Sequence, residues 1–126
     1  MNPMVILLAE DDVGVQFFVW SLLKAEGFTV LTVGDGVAAL EASRNHPGAI
    51  DLLLSDVAMP RMGGLELCKT LSAERPGIKV LMMSGEPWWR ELVFMSGLPF
   101  LQKPFTLKAL LDSIETLLGP MPPLRR

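Results

Sequence analysis

Residues 5–12 read Val5-Ile6-Leu7-Leu8-Ala9-Glu10-Asp11-Asp12. An unbroken apolar run of this length suits a β-strand covered on both faces, the pattern of a parallel sheet sandwiched by helices. The run is far short of the ~18 apolar residues that a membrane span needs. The three acids follow it without a spacer, so they belong to the loop beyond the strand's carboxyl end. Outward from this stretch the same alternation repeats. Val13 to Glu26 reads as a helix stopped by Gly27, and Thr29 to Val33 is β-branched and strand-like. Asp35-Gly36 is a turn, and Val37 to Arg44 is helical up to the breaker Asn45-His46-Pro47-Gly48. Ile50 to Ser55 is a third strand, ended by Asp56. A loop through Pro60 and Gly64 leads to a helix over Leu65–Glu74, closed by Arg75-Pro76-Gly77. Ile78 to Met83 is a fourth strand, and Pro87 suits the first turn of a helix over Trp88–Ser96 that Gly97 ends. Pro99 to Gln102 is a short fifth strand, after which Thr106 caps a last helix running to Leu118.

Five βα units with short connections predict an α/β protein, a parallel sheet with helices on both faces. The 126 residues suffice for one domain and for a core that needs no staple. Half the residues are hydrophobic, which excludes a disordered chain. The net charge of −3 comes with no basic stripe beyond Arg125-Arg126, so direct nucleic-acid binding is not expected. The single cysteine, Cys68, excludes an internal disulfide and reads as a small buried hydrophobe. The amino terminus has no basic region ahead of an apolar segment, so no signal peptide is read. Cytoplasmic localisation without membrane insertion is the expectation.

The polar residues collect at one edge. In an open parallel sheet, ligands bind beyond the carboxyl ends of the strands, where strand order reverses. Glu10 and Asp11 follow the first strand, Asp56 the third, Ser84 the fourth and Lys103 the fifth. Carboxylates gathered there repel one another unless a hard divalent cation joins them, and oxygen donors suit Mg2+. A lysine opposite them neutralises charge or clamps an anion, and a serine hydroxyl donates to a phosphoryl oxygen. These are the parts of a phosphoryl-transfer site with an aspartate nucleophile.

The pieces Leu7-Leu8-Ala9-Glu10-Asp11-Asp12, Asp51-Leu52-Leu53-Leu54-Ser55-Asp56-Val57-Ala58-Met59-Pro60, Gly63-Gly64-Leu65-Glu66-Leu67, Met82-Met83-Ser84-Gly85 and Lys103-Pro104-Phe105 stand in this order along the chain. Together they resemble the receiver domain of two-component response regulators. The resemblance implies a flavodoxin-like (βα)5 fold, doubly wound, with strand order 2-1-3-4-5. It implies that residues 1–119 form the receiver and 120–126 a Pro-rich tail or truncated linker, with no output domain. It implies a phospho-accepting switch rather than a turnover enzyme, in which Asp56 takes a phosphoryl group from a histidine kinase or a histidine phosphotransfer protein. On this resemblance Mg2+ is held by Glu10, Asp11, Asp56 and the Ala58 backbone carbonyl, with Asp11 the direct ligand of the acidic pair. Lys103 and Ser84 contact the phosphoryl group, Asp12 caps the first helix, and the Lys103-Pro104 bond is cis. Ser84 and Phe100 form the switch, with output through the fourth helix, fifth strand and fifth helix. Phe100 has no hydroxyl, so its part is packing alone. A weak homodimer is a further expectation.

The chain departs from the family pattern between Ser84 and Lys103, a stretch shorter than in many receivers. Gly85 and the string Pro99–Thr106 resemble receivers of hybrid sensor kinases. Other functions fit less well. The alternative, a phosphorylation-independent pseudo-receiver that acts as an interaction module, is disfavoured by the intact acidic pair, Asp56, Ser84 and Lys103, and kept open by the shortened stretch after Ser84. An aspartyl phosphohydrolase lacks a second acid after Asp56, where Val57 and Ala58 stand. A flavin binder conflicts with Glu10-Asp11-Asp12, which repels an unshielded phosphate. The first helix is expected to bury Val15, Phe18, Val19 and Leu22 at helical spacing. Val13, Phe17 and Trp20 form a second stripe. Phe17 and Trp20, with Trp88 and Trp89 on the fourth helix, are candidate partner contacts.

Overall fold

The computed structural model describes residues 3–120, apart from the side chains of residues 87–90. Its elements run β1 (Val5–Ala9), α1 (Val13–Ala25), β2 (Thr29–Val33), α2 (Gly36–Asn45), β3 (Leu52–Asp56), α3 (Gly64–Glu74), β4 (Lys79–Ser84), α4 (Pro87–Ser96), β5 (Phe100–Gln102) and α5 (Leu107–Leu118). The five strands form one parallel sheet in the order β2-β1-β3-β4-β5. The expected alternation, sheet and strand order are all present.

The strand side chains divide by period two between two cores. Ile6, Leu8, Leu52, Leu54, Leu81 and Met83 pack with Val19 and Leu23 of α1 and with Leu110 and Ile114 of α5. Leu7, Ala9, Leu53, Val80 and Met82 pack on the other face with Leu40 of α2, Leu67 and Leu71 of α3, and Val93 of α4. The unbroken apolar runs are therefore read by both helix layers at once. Cys68 lies buried among the second set, as expected.

Three sequence readings shift. The third strand begins at Leu52 rather than Ile50 and includes Asp56, which pairs with Met83. The fourth runs from Lys79 to Ser84, one residue beyond the expected end, with Ser84 opposite Gln102. Asp56 and Ser84 are thus last strand residues, held by the ladder rather than carried on loops. The buried arc of α1 centres on Val19 and Leu23, with Val15, Trp20 and Leu22 half-buried against the core. Phe18 was expected inside but is 53% exposed. Helix geometry turns roughly 100° per residue, so Phe18 and Trp20 lie to either side of Val19. The indole reaches back to the core and stacks on Phe17, with ring centroids 5.8 Å apart. Trp20 is therefore largely a packing residue, while Phe17 stays 66% exposed. The side chains of Trp88 and Trp89 lie outside the described residues.

Candidate functional site

The helix ends next to the sheet's carboxyl edge form as the sequence suggests. Asp12 is the N-cap of α1, its carboxylate accepting from Val15 N at 3.0 Å, and Thr106 caps α5 by accepting from Ala109 N at 3.0 Å. Asp12 is thereby occupied as a cap and leaves Glu10 and Asp11 as the acidic pair. The Lys103-Pro104 bond is cis. Lys103 N donates to Ser84 O at 2.9 Å, which ties the lysine to the end of β4.

From that anchor the Lys103 ammonium reaches across the edge to two carboxylates. It donates to Glu10 Oε1 in a very short contact and to Asp56 Oδ2 at 3.0 Å. Glu10 is buried, and its second oxygen accepts from Asp12 N at 3.0 Å. Burial raises the Glu10 carboxyl above its ordinary value, and the Lys103 hydrogen bond opposes that shift only in part. Burial works against the Lys103 ammonium, but its bonds to Glu10 and Asp56 outweigh this and hold its pKa above the usual lysine value. Asp11 stands exposed at the rim, and one oxygen from each of Glu10, Asp11 and Asp56 falls within 4.8 Å of the others.

This donor set fits the cation that the sequence implied. Three carboxylates face one ammonium, so negative charge remains in excess, and every donor is a hard oxygen. Asp11, at the open rim, is placed to meet an ion entering from solvent. Ala58 lies in the loop after Asp56, half-buried and two residues beyond it. Ser84 is buried at the end of β4, and its hydroxyl accepts from Glu86 N at 3.0 Å, across the entry to α4. Phe100 is half-buried against the second core. The structure thus draws Glu10, Asp11, Asp56 and Lys103 into one cluster and keeps Ser84 engaged with its own loop.

Sequence reading missed the residues that hold this edge in shape. Gln16 Nε2 donates to both Glu10 O (3.1 Å) and Val33 O (3.0 Å), clamping the acid loop to β2. A Cβ on Gly64 would stand 2.3 Å from Asp56 O, so only glycine lets α3 start directly against the backbone of Asp56. Asp35 caps α2 by accepting from Ala38 N at 2.8 Å and also receives a two-pronged guanidinium contact from Arg61. These two bonds, in that order, hold its carboxyl below the ordinary aspartate value. Arg61 itself has φ +64°. A non-glycine residue in that region costs about 1–2 kcal/mol, while an exposed ion pair returns at most about 1 kcal/mol. Arg61 was visible only as a loop residue, and Gly64 only as part of the Gly63-Gly64 piece that carries the resemblance, because what each one touches lies on another element.

Residues 6–115 match the response regulator receiver domain family. The chain belongs to that family. The sensor kinase CckA of Brucella abortus (strain 2308) is 36% identical over 119 residues, a match spanning 90% of this chain and 12% of CckA. The response regulator receiver protein CpdR of the same organism is 33% identical over 119 residues, spanning 90% of this chain and 95% of CpdR. The chemotaxis protein CheY4 of Vibrio cholerae has the same fold, with a TM-score of 0.82 at 27% identity over 93% of this chain and 100% of that one. The chain spans from 12% to about half of the length of the first curated relatives it matches. The receiver has the CheY-like flavodoxin fold; receiver domains bind Mg2+ at an acidic cluster, and Glu10, Asp11 and Asp56 form a candidate group of that kind. Among the described residues, no helix is long and apolar enough to cross a membrane.

Proposed function

We propose that this receiver is a phospho-accepting switch whose acceptor is Asp56. The observation that carries the reading is the Lys103 ammonium bridging Glu10 and Asp56, with the Asp11 carboxylate alongside. A free Asp56 oxygen attacks the phosphorus of a phosphohistidine on a histidine kinase or phosphotransfer protein. The new O–P bond forms as the N–P bond breaks, and the imidazole leaves. Mg2+ bound by Asp11, Asp56 and the Ala58 carbonyl, with Glu10 beside it, would supply charge neutralisation for the phosphoryl oxygens. Lys103 stays against Asp56 throughout and offsets the charge of the acyl phosphate.

Ser84 then has two competing partners. Its hydroxyl now accepts from Glu86 N, and turning toward the phosphoryl group gives up that bond at the start of α4. Phosphorylation so biases α4, β5 and α5, with Phe100 responding through packing. The partner surface follows from the exposed side of α1. Phe17 is exposed, and Phe18 lines an apolar groove of about 370 Å3 with Val15, Gly85, Pro104 and Phe105, next to Lys103. A helical donor bearing the phosphohistidine fits there. A weak homodimer would use the exposed Leu92, Phe94 and Met95 of α4. The receiver as residues 1–119, with 120–126 as a tail or truncated linker, belongs to the same proposal, as does the absence of turnover on external substrates.

Incubation with Mg2+ and acetyl phosphate, followed by intact mass, tests the reading. One hydroxylamine-labile phosphoryl adduct on the wild type, absent in Asp56→Asn, supports it. No adduct from several small donors or from a cognate kinase points instead to a pseudo-receiver. Unchanged transfer from a cognate donor to a folded Phe17→Ser variant would remove Phe17 from the docking surface.

A further inference from the structure

The loop from Asp56 to α3 is held at two places. Near the acceptor, Val57 N donates to Met83 O at 3.1 Å, and Val57 O accepts from Gly64 N at 2.8 Å. At the far end the loop is seated on the start of α2. Gly36 N donates to Met62 O at 3.0 Å, and Arg61 Nε and Nη2 donate to the two Asp35 oxygens at 2.9 and 3.0 Å. Met62 N donates to Pro60 O at 2.7 Å across Arg61 at φ +64°, a γ-turn of the rare positive-φ kind. Ala58, Met59 and Pro60 lie between these anchors. Among the described residues, no hydrogen bond ties those three to anything outside the loop.

We propose that Arg61 is a positioning residue for phosphoryl acceptance: its fork on Asp35 holds the strained turn and so sets where the Ala58 carbonyl sits beside Asp56. The inference rests on the switch reading above. Its physical basis is a mismatch. The Arg61 side chain is more than half exposed, so its ion pair is weak, and the backbone strain at Arg61 opposes it. The arrangement therefore adds little stability, and what it supplies is loop geometry. Gly36 makes the same seat from the other side, since a Cβ there would stand 2.6 Å from Met62 O.

The test compares Arg61→Gly, Arg61→Lys and Asp35→Asn, the last chosen because its side-chain oxygen can still accept from Ala38 N. Three quantities are read on each: the urea midpoint, the Mn2+ dissociation constant by EPR titration, and the rate of Asp56 phosphorylation by acetyl phosphate. Arg61→Gly relaxes the turn, so its urea midpoint should stay level or rise, while Mn2+ affinity and phosphorylation rate fall roughly three- to tenfold. Arg61→Lys, which keeps the charge without the fork, should fall between Arg61→Gly and wild type. The Arg61→Gly/Asp35→Asn double variant should lose no more than either single one. Wild-type Mn2+ affinity and rate in Arg61→Gly would overturn the proposal. So would losses of stability in Arg61→Gly and Asp35→Asn with Mn2+ binding intact, since the pair would then be structural only. If the wild type accepts no phosphoryl group, the switch reading fails, and the Mn2+ arm still decides the role of Arg61.

Discussion

α2 and α3 lie side by side on one face of the sheet and are pinned at both ends, whereas α4, on the same face, has Val93 as its one buried side chain among the described residues. At the carboxyl edge, Arg61 and Met62 of the loop before α3 grip Asp35 and Gly36. At the opposite edge, Arg75 donates to Ser43 Oγ, Ser43 O, His46 O and Gly48 O, and Arg44 pairs with Glu74. Among the described residues, no side-chain hydrogen bond or ion pair joins α4 to a neighbouring helix, and Phe94 and Met95 are 84% and 80% exposed. On the switch proposed above, the pinned pair resists rearrangement, and a turn of Ser84 away from Glu86 N would loosen the entry to α4.

The sharpest way to break the contrast is a methyl group on each side. Gly64→Ala drives a Cβ into Asp56 O, against backbone that cannot swing away, and should cost about 3 kcal/mol or more in urea unfolding. It should also abolish phosphorylation of whatever fraction folds. Gly85→Ala adds a Cβ at an ordinary 3.7 Å from the Lys103 Cβ and should shift stability by under about 0.5 kcal/mol. Equal costs would mean that the entries to α3 and α4 are equally rigid. Next in size is Arg75→Ala, which strips hydrogen bonds from four acceptors at the far end of the pinned pair. A loss of about 2 kcal/mol is expected, with hydrogen exchange rising at the C-terminal end of α2 and not in α4.

Acid titration separates the cap of α2 from the carboxylate cluster by sign. The Asp35 carboxyl is depressed in the folded state, so its contribution is present above 3.8 and is lost as pH falls through its folded value. Glu10 is raised, so the folded state binds more protons there than the unfolded chain, and its contribution weakens as pH rises from 4.5 through its folded value. Comparing wild type with Asp35→Ala should show about 1 kcal/mol of difference at neutral pH that narrows below 3.8. A difference that stays constant down to pH 2 would disprove the assignment. The smallest stability effect belongs to α4, where replacing Leu92, Phe94 and Met95 by serine should change stability by no more than about 0.5 kcal/mol each. The same changes should abolish any self-association seen by sedentimentation velocity, if the homodimer uses this face.

Much of the site could be read along the chain because its residues occupy a repeated local position. Glu10, Asp11, Asp56, Ser84 and Lys103 each stand at the carboxyl end of an apolar run, and a parallel sheet brings all such ends to one edge. Strand boundaries were less legible, because Asp56 and Ser84 look like loop residues until their partners Met83 and Gln102 are known. The buried arc of α1 was read a step off, since hydrophobicity alone does not separate Phe18 from Trp20 when both flank Val19.

The sequence by itself determined the five βα units, the sheet they form, the cap Thr106, and the set of polar groups at the edge. All of these follow from short-range rules: apolar runs, helix stops and side chains that cap their own turn. Only the tertiary structure decided that Lys103 bridges Glu10 and Asp56, that Gly64 must lack a side chain, that Ser84 is held by Glu86, and that Arg61 seats its loop on Asp35. Most of these contacts join residues far apart in the chain, and the Ser84 bond, though local, is one choice among several that a serine can make. Charge, size and donor geometry select such contacts only once packing has brought the groups within reach, and no periodicity along the chain encodes that choice.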